Sequence, residues 1–211
     1  MKSVFDSRAS TWDEEPRRIT LARDIFSAME KAIPLDRNME ALDYGCGTGL
    51  ITLALQPQVK SVLGVDSSRG MLEVLERKVA GLGIGNVRVQ QMDLSEASHT
   101  GQTFDLITSS MTLHHVKNVD ALLLQFHSLL RPGGYVALAD LDTEDGAFHP
   151  DKTGVIHFGF DREALKARAE KAGFSQVQTV TAAMIQKEKS FTVFLLTARR
   201  DFPFTSRTSL V

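Results

Sequence analysis

The sequence predicts a three-layer α/β sandwich: a seven-stranded, mostly parallel sheet with an antiparallel C-terminal strand, covered by helices on both faces. Three observations carry this. Short apolar runs of strand length alternate with amphipathic helical periods between residues 40 and 139, the pattern of βαβ units whose crossovers lay helices over a parallel sheet. The first of those strands runs straight into ALDYGCGTG, residues 41–49, where glycine recurs at every second position. The last two strand-like runs are separated only by a turn around Lys187-Glu188-Lys189, too short a link for a parallel crossover, so that pair must be antiparallel.

Taken in order, residues 16–33 open with Pro16 and space Ile19, Ala22, Phe26, Met29 and Ile33 helically before Pro34, which predicts an amphipathic helix. Residues 40–44 form a short apolar strand, and 50–55 a short helix stopped at Gln56-Pro57. A second strand, 59–65, ends at Asp66, and 69–80 follows with Met71, Leu72, Leu75 and Val79 on one helical face. Strands are expected at 86–91 and 104–109. The next helix has the clearest stripe, Val119, Leu122, Leu123, Phe126, Leu129 and Leu130, with Arg131-Pro132-Gly133-Gly134 as its stop. Residues 135–139 make the fifth strand. Asp161 then caps a helix carrying Leu165, Ala169 and Ala172 that ends at Gly173, before strands at 177–185 and 191–198.

With 211 residues, 43% of them hydrophobic, the chain suits one domain with a full core. We place it at 1–199, opened by a segment of about 1–34, with 200–211 a disordered tail. A net charge of −2 gives no overall attraction to nucleic acid or an anionic membrane, so neither partner is expected. The single cysteine, Cys46, excludes an internal disulfide and fits a reducing compartment. No apolar run approaches the roughly 20 residues of a membrane span, and the opening MKSVFDSR lacks the apolar core of a secretory signal. A cytoplasmic protein without stable membrane insertion is the expectation.

Glycine at such density in a strand-to-helix loop signals positive φ angles, close approach of a ligand, or both. In open α/β sheets that loop borders the ligand crevice at the carboxyl ends of the strands. Asp66, about 20 positions after Gly45, stands where an acid accepts hydrogen bonds from ribose hydroxyls. A dinucleotide loop reads G-x-G-x-x-G, whereas this one reads G-x-G-x-G, and Asp43 stands two residues before it. A carboxylate there disfavours pyrophosphate and favours a cationic ammonium or sulfonium.

Asp43-Tyr44-Gly45-Cys46-Gly47-Thr48-Gly49 resembles the first motif of class I S-adenosylmethionine-dependent methyltransferases. Further matches follow in order: Val65-Asp66, Met92-Asp93-Leu94, Phe104-Asp105-Leu106-Ile107 and Leu130-Arg131-Pro132-Gly133-Gly134. The run Met111-Thr112-Leu113-His114-His115-Val116 is similar to the small-molecule branch that includes ubiquinone and menaquinone methyltransferases. The resemblance spans roughly residues 5–199 and implies a Rossmann-like methyltransferase domain that uses S-adenosyl-L-methionine and a small-molecule acceptor. It implies that Asp43, Gly45, Cys46, Gly47 and Gly49 border the methionyl end of the cofactor and that Asp66 holds the ribose hydroxyls. By the same resemblance Met71 packs on adenine, Asp93 bonds its amino group, and Ser67 and Leu94 flank the ring; Ser109, at the end of the fourth strand, is a further candidate cofactor contact. The competing readings are an NAD(P)-dependent oxidoreductase, which the glycine spacing disfavours, and a cofactor-binding module without catalysis.

Because the methyl group arrives already activated, the protein's task is mainly to align the acceptor and exclude water. His115, beyond the fourth strand, is the candidate base or acceptor contact. Residues 140–160 mix acids, His149, His157 and aromatics, as an acceptor wall or lid does. The acid spacing there fails the calcium-loop template, with Gly146 one position late, and no metal is expected. Trp12, the one tryptophan and a candidate acceptor contact, sits in residues 5–13, which resemble the entry segment of the same branch, a segment that can fold over the cofactor. No motif specifies an oligomeric state.

Overall fold

The computed structural model describes residues 5–92 and 101–202. A 3-10 helix, Ala9–Glu14, leads into α1 (Pro16–Ala32), β1 (Glu40–Tyr44), α2 (Leu50–Leu55), β2 (Ser61–Asp66), α3 (Arg69–Gly81) and β3 (Val87–Gln91). Then come β4 (Phe104–Ser110), a 3-10 turn at Leu113–His115, α4 (Val119–Leu129), β5 (Leu130–Leu141), α5 (Arg162–Lys171), β6 (Phe174–Gln186) and β7 (Ser190–Arg200). The seven strands form one sheet in the order β3-β2-β1-β4-β5-β7-β6. The first five pair in parallel, and β7 lies antiparallel to both β5 and β6. Strand order reverses between β1 and β4, which opens a crevice beyond their carboxyl ends.

Alternation along the strands builds two cores. Leu42, Ile107, Val136, Phe194 and Leu196 pack with Leu122, Leu123 and Phe126 of α4 and Leu165 of α5. Their neighbours Ala41, Leu106, Ala137 and Leu195 face the other way, against Ile25, Phe26 and Met29 of α1 and Ile51 and Leu55 of α2. Each large side chain so buried contributes roughly 1.5–3 kcal/mol of transfer free energy. Ser68, Asn118 and Asp161 cap α3, α4 and α5 through side-chain oxygens that accept from Met71, Ala121 and Ala164 N–H.

Several boundaries differ from the sequence expectation, and three of the differences reshape the C-terminal half of the sheet. β5 begins at Leu130, which pairs with Phe104 before a register shift brings Tyr135 opposite Leu106; Arg131–Gly134 therefore bulges along the sheet edge, with Gly133 at φ +84. β6 begins at Phe174 and passes its own irregularity at Gln176, φ +52. β7 continues through Arg200, whose guanidinium donates to the carbonyls of His127, Ser128 and Leu130. Residue 200 thus joins the sheet, while 203–211 lie outside the described residues. No helix among the described residues is long and apolar enough to cross a membrane.

Candidate active site

The glycine loop leaves β1 with Gly45 and Cys46 N–H both donating to the Val65 carbonyl (2.8 and 3.0 Å), and Gly49 N–H returns to the Cys46 carbonyl at 2.8 Å. Gly45, Gly47 and Gly49 have φ of +70, +52 and +86, so all three occupy backbone conformations that side chains disfavour. Their surroundings separate them. A Cβ at Gly45 would lie 2.3 Å from Thr112 Oγ1, and one at Gly49 2.3 Å from Leu75 Cδ1, whereas at Gly47 it would meet nothing within 4 Å. The outer glycines are required by the protein's own packing, and the middle one alone faces open space.

Asp66, at the end of β2, accepts from Gly47 N–H at 2.9 Å and Ser68 N–H at 2.8 Å. Burial raises its pKa, partly opposed by backbone donors from Ser68, Gly47 and Ser67. Asp43 is 1% exposed and accepts from Thr52 Oγ at 2.5 Å. Desolvation lifts it to about 7, with the Thr52 hydrogen bonds opposing and the nearby Asp66 reinforcing the shift. Cys46 turns its side chain into a small cluster with Leu72 and Leu75. Burial first, then Asp43 and Asp66, push its thiol well above the usual range, which removes it as a nucleophile. Met71 is buried in the first turn of α3, and Ser67 is exposed with its carbonyl held by Gln91. The hydroxyl of Ser109, opposite Tyr44, is buried without a partner. Asp93 and Leu94 lie outside the described residues.

The N-terminal segment lies across this crevice as a strap. Asp6 accepts from Ser68 Oγ at 2.6 Å and Gly70 N–H at 3.0 Å, at the start of α3. Asp13 accepts from Thr48 Oγ at 2.7 Å and pairs with Lys78. Arg8 reaches Asp151 at 2.6 Å, joining the strap to the excursion after β5. Trp12 stacks under the Arg18 guanidinium, 3.8 Å from the ring centroid, and beside Phe5. A cleft of about 600 Å³ opens at the opposite, amino ends of the strands, beside Glu40, Arg88 and Arg131, away from this constellation.

Beyond β4 the backbone turns sharply at Met111, a non-glycine residue at φ +54, a strain that the surrounding structure must hold in place. The turn that follows brings three imidazoles together: His114 and His115 at 4.1 Å, His114 and His149 at 4.9 Å, His115 and His149 at 6.1 Å between centroids. His115 Nδ1 contacts the Gly154 carbonyl at 2.7 Å, and Phe5 covers its ring at 5.1 Å. His149 Nε2 is buried and unpartnered. His157 stands apart, its Nε2 on the Val116 carbonyl at 2.9 Å and its ring on Phe160. His114, which sequence reasoning passed over in favour of His115, bonds through Nδ1 to Asp140 at 2.7 Å in the interior. Among the described residues no three His, Cys, Asp or Glu side chains are arranged to hold a metal ion.

Residues 16–179 match the model of a family described as a methyltransferase domain. An uncharacterized methyltransferase of Schizosaccharomyces pombe is 32% identical over 160 residues, 69% of this chain and 56% of that protein. A demethylmenaquinone methyltransferase of Lactobacillus johnsonii is 33% identical over 104 residues, 47% of this chain and 43% of that protein. The chain thus spans about half the length of the curated relatives it matches. In fold, the YcgJ protein of Bacillus subtilis superposes with a TM-score of 0.70 at 17% identity, covering 85% of this chain and 99% of that one.

Proposed function

We propose, from the premise that this chain belongs to the methyltransferase-domain family, that it transfers a methyl group from S-adenosyl-L-methionine to a small-molecule acceptor. The observation that carries the reading is the open space at Gly47, flanked by two crowded glycines and by Asp66. The φ of +52 favours glycine there in any case, and the empty space beside it, next to Asp66, leaves room for a ligand. The buried Asp43 beside the loop fits a cationic ligand. The cofactor supplies a methyl group on a positively charged sulfur. Asp43 and the glycines border its methionyl end, Asp66 takes the ribose hydroxyls, and Ser67 and Met71 line the adenine side. Trp12 and the imidazoles His115 and His149 form the acceptor side, with the strap excluding water. His157 supports the loop through Val116. The domain runs through Arg200, the end of β7, with the strap as its lid, and the net charge of −2 and single cysteine support a cytoplasmic enzyme acting without nucleic acid.

Calorimetry with adenosylmethionine, adenosylhomocysteine and NADH, followed by turnover against a panel of hydroxyl, amine and thiol acceptors, tests the proposal. Binding of NADH alone overturns it. Asp66→Ala is expected to weaken adenosylhomocysteine by about 1–3 kcal/mol, the scale of hydrogen bonds to a charged group. Because Asp66 also holds Gly47 N–H, the decisive comparison is an analogue lacking both ribose hydroxyls. An equal loss with that analogue contradicts the ribose contact.

Asp43 supplies a pH test. Its folded pKa of about 7 lies above the ordinary 3.8, so the folded chain keeps a proton that the unfolded chain loses. Its contribution to stability is therefore highest below about pH 4 and declines as pH rises towards 7. A sulfonium beside it favours the carboxylate and expels that proton. The preference for adenosylmethionine over the uncharged sulfide, adenosylhomocysteine, should accordingly grow between pH 5.5 and pH 8. A ratio of affinities that stays flat over this range removes Asp43 from the sulfonium's surroundings.

A further inference from the structure

The acceptor side of the crevice is walled by rings in continuous contact. Arg18 lies 3.8 Å over the Trp12 ring, Trp12 stands 6.0 Å from Phe5, and Phe5 5.1 Å from His115. His115 is 6.1 Å from His149, His149 4.7 Å from Phe148, and Lys187 Nζ sits 3.9 Å above Phe148. Aromatic surface thus runs unbroken from one cation to the other. Glu15, the N-cap of α1, is bonded by Arg17 and also feels the charges of Arg18 and Lys187, so the two ends of the arc lie near one carboxylate.

Arg18 and Lys187 are both half-buried, and neither forms an ion pair among the described residues. Arg18 Nη1 donates to the Trp12 carbonyl at 2.8 Å and Lys187 Nζ to the Phe148 carbonyl at 2.5 Å, which leaves most of each side chain's donors unused. Burial is the largest influence on each and lowers both pKa values, as befits cations that have lost hydration without gaining a carboxylate. The neighbouring charges set how much anion the site takes. Arg17 is held by Glu15 at 2.8 Å, Arg8 by Asp151 at 2.6 Å, and Lys78 by Asp13, so those cations are balanced locally. The further carboxylate acting on Lys187 is Glu144, which already accepts from Ala147 and Phe148 N–H at 2.7 and 3.0 Å. Two cations against one carboxylate leave a single positive charge, which a monoanion balances and a phosphate dianion exceeds.

We propose that Arg18 and Lys187 hold a carboxylate on the acceptor, so that the substrate is a small monocarboxylic acid with a flat apolar body. This deepens the methyltransferase reading and rests on it, since it names the class of molecule that enters the same crevice. The guanidinium offers a planar fork to the carboxylate and the ammonium a point charge, while the rings of Phe5, Trp12 and His115 take the apolar body. Arg18 belongs to α1 and is stacked on the strap through Trp12. Lys187 belongs to the turn between β6 and β7. A carboxylate held by both therefore clamps the strap towards that turn, with the acceptor beneath it.

The test is calorimetry on the full chain saturated with adenosylhomocysteine, comparing hydroxy-, amino- and mercaptobenzoates with the carboxamide of each. At least one benzoate is expected to bind about tenfold or more tightly than its carboxamide, the scale of hydrogen bonds to a charged group. With adenosylmethionine the same preference should appear in KM for the acceptor rather than in kcat. In Lys187→Met and in Arg18→Met, which keep an apolar stem over each ring, the preference should fall at least about fivefold, and Lys187→Arg should restore most of it. Loosening of the strap or the hairpin weakens acid and carboxamide alike, so a ratio that stays in place in folded variants overturns the inference. A wild-type chain that binds each carboxamide as tightly as its acid, takes up no benzoate at millimolar concentration, or prefers the matched phenyl phosphates overturns it without any variant having to fold. Failure to bind adenosylmethionine or adenosylhomocysteine defeats instead the methyltransferase reading; the comparison of acid with carboxamide, run without cofactor, then judges the carboxylate site separately.

Discussion

Replacing Gly47 with valine is expected to lower affinity for adenosylhomocysteine at least a hundredfold while the chain remains folded. At φ +52 a side chain is strained by about 1–2 kcal/mol, a fraction of the roughly 5–15 kcal/mol that holds a domain together. No neighbour stands within 4 Å of the new Cβ, so the added atoms project into the open space beside Asp66, where we propose the cofactor binds. A hundredfold loss corresponds to about 2.7 kcal/mol, a modest demand for a branched side chain inside a ligand's volume. Gly49→Val makes the contrast. Its Cβ would fall 2.3 Å from Leu75 Cδ1, inside the packing of α3, so the damage should appear as a lowered melting temperature. Calorimetry and thermal unfolding on the two variants separate these cases. Undiminished affinity in folded Gly47→Val removes the loop from the cofactor site.

The same pair of glycines shows where the sequence was legible. Features set by neighbours in the chain could be read directly: the stripe from Leu122 to Phe126, the cap at Asp161, the tight link at Lys187-Glu188-Lys189. Gly45, Gly47 and Gly49 read alike, because their difference lies in Thr112 and Leu75, which the fold brings from elsewhere. The early start of β5 depends on Leu130 finding Phe104 across the sheet, and nothing local in Arg131–Gly134 announces it. His115 alone stood out as a candidate, because nothing local to the pair shows that the 3-10 turn points the His114 ring at Asp140, 26 positions away. That contact follows from the pairing of Ser110 with Ala139, which sets the ends of β4 and β5 side by side. The signal available in advance was Asp140 itself, an acid closing an apolar strand next to the crevice.

Releasing the strap is the second large effect. Asp6→Ala combined with Asp13→Ala removes the carboxylates that tie residues 5–14 to the start of α3 and to the glycine loop. The hydrogen bonds lost, from Ser68 Oγ, Gly70 N–H and Thr48 Oγ, together with the Lys78 pair, amount to roughly 2–4 kcal/mol at ordinary net values. Opening of the strap should then become about 30- to 700-fold more populated, and amide exchange across Ala9–Glu14 should accelerate by that factor while α4 and the central strands keep their protection. Arg8–Asp151 remains, but both partners are nearly half exposed, so that pair contributes little on its own. With the strap displaced, Phe5 no longer covers His115 and water reaches the acceptor side. Methyl transfer should therefore fall at least tenfold even at saturating cofactor, with Trp12 fluorescence shifting as its ring leaves Phe5. If exchange accelerates and turnover does not change, the strap is a structural tether rather than a lid, and water exclusion must be assigned to residues 140–160 instead.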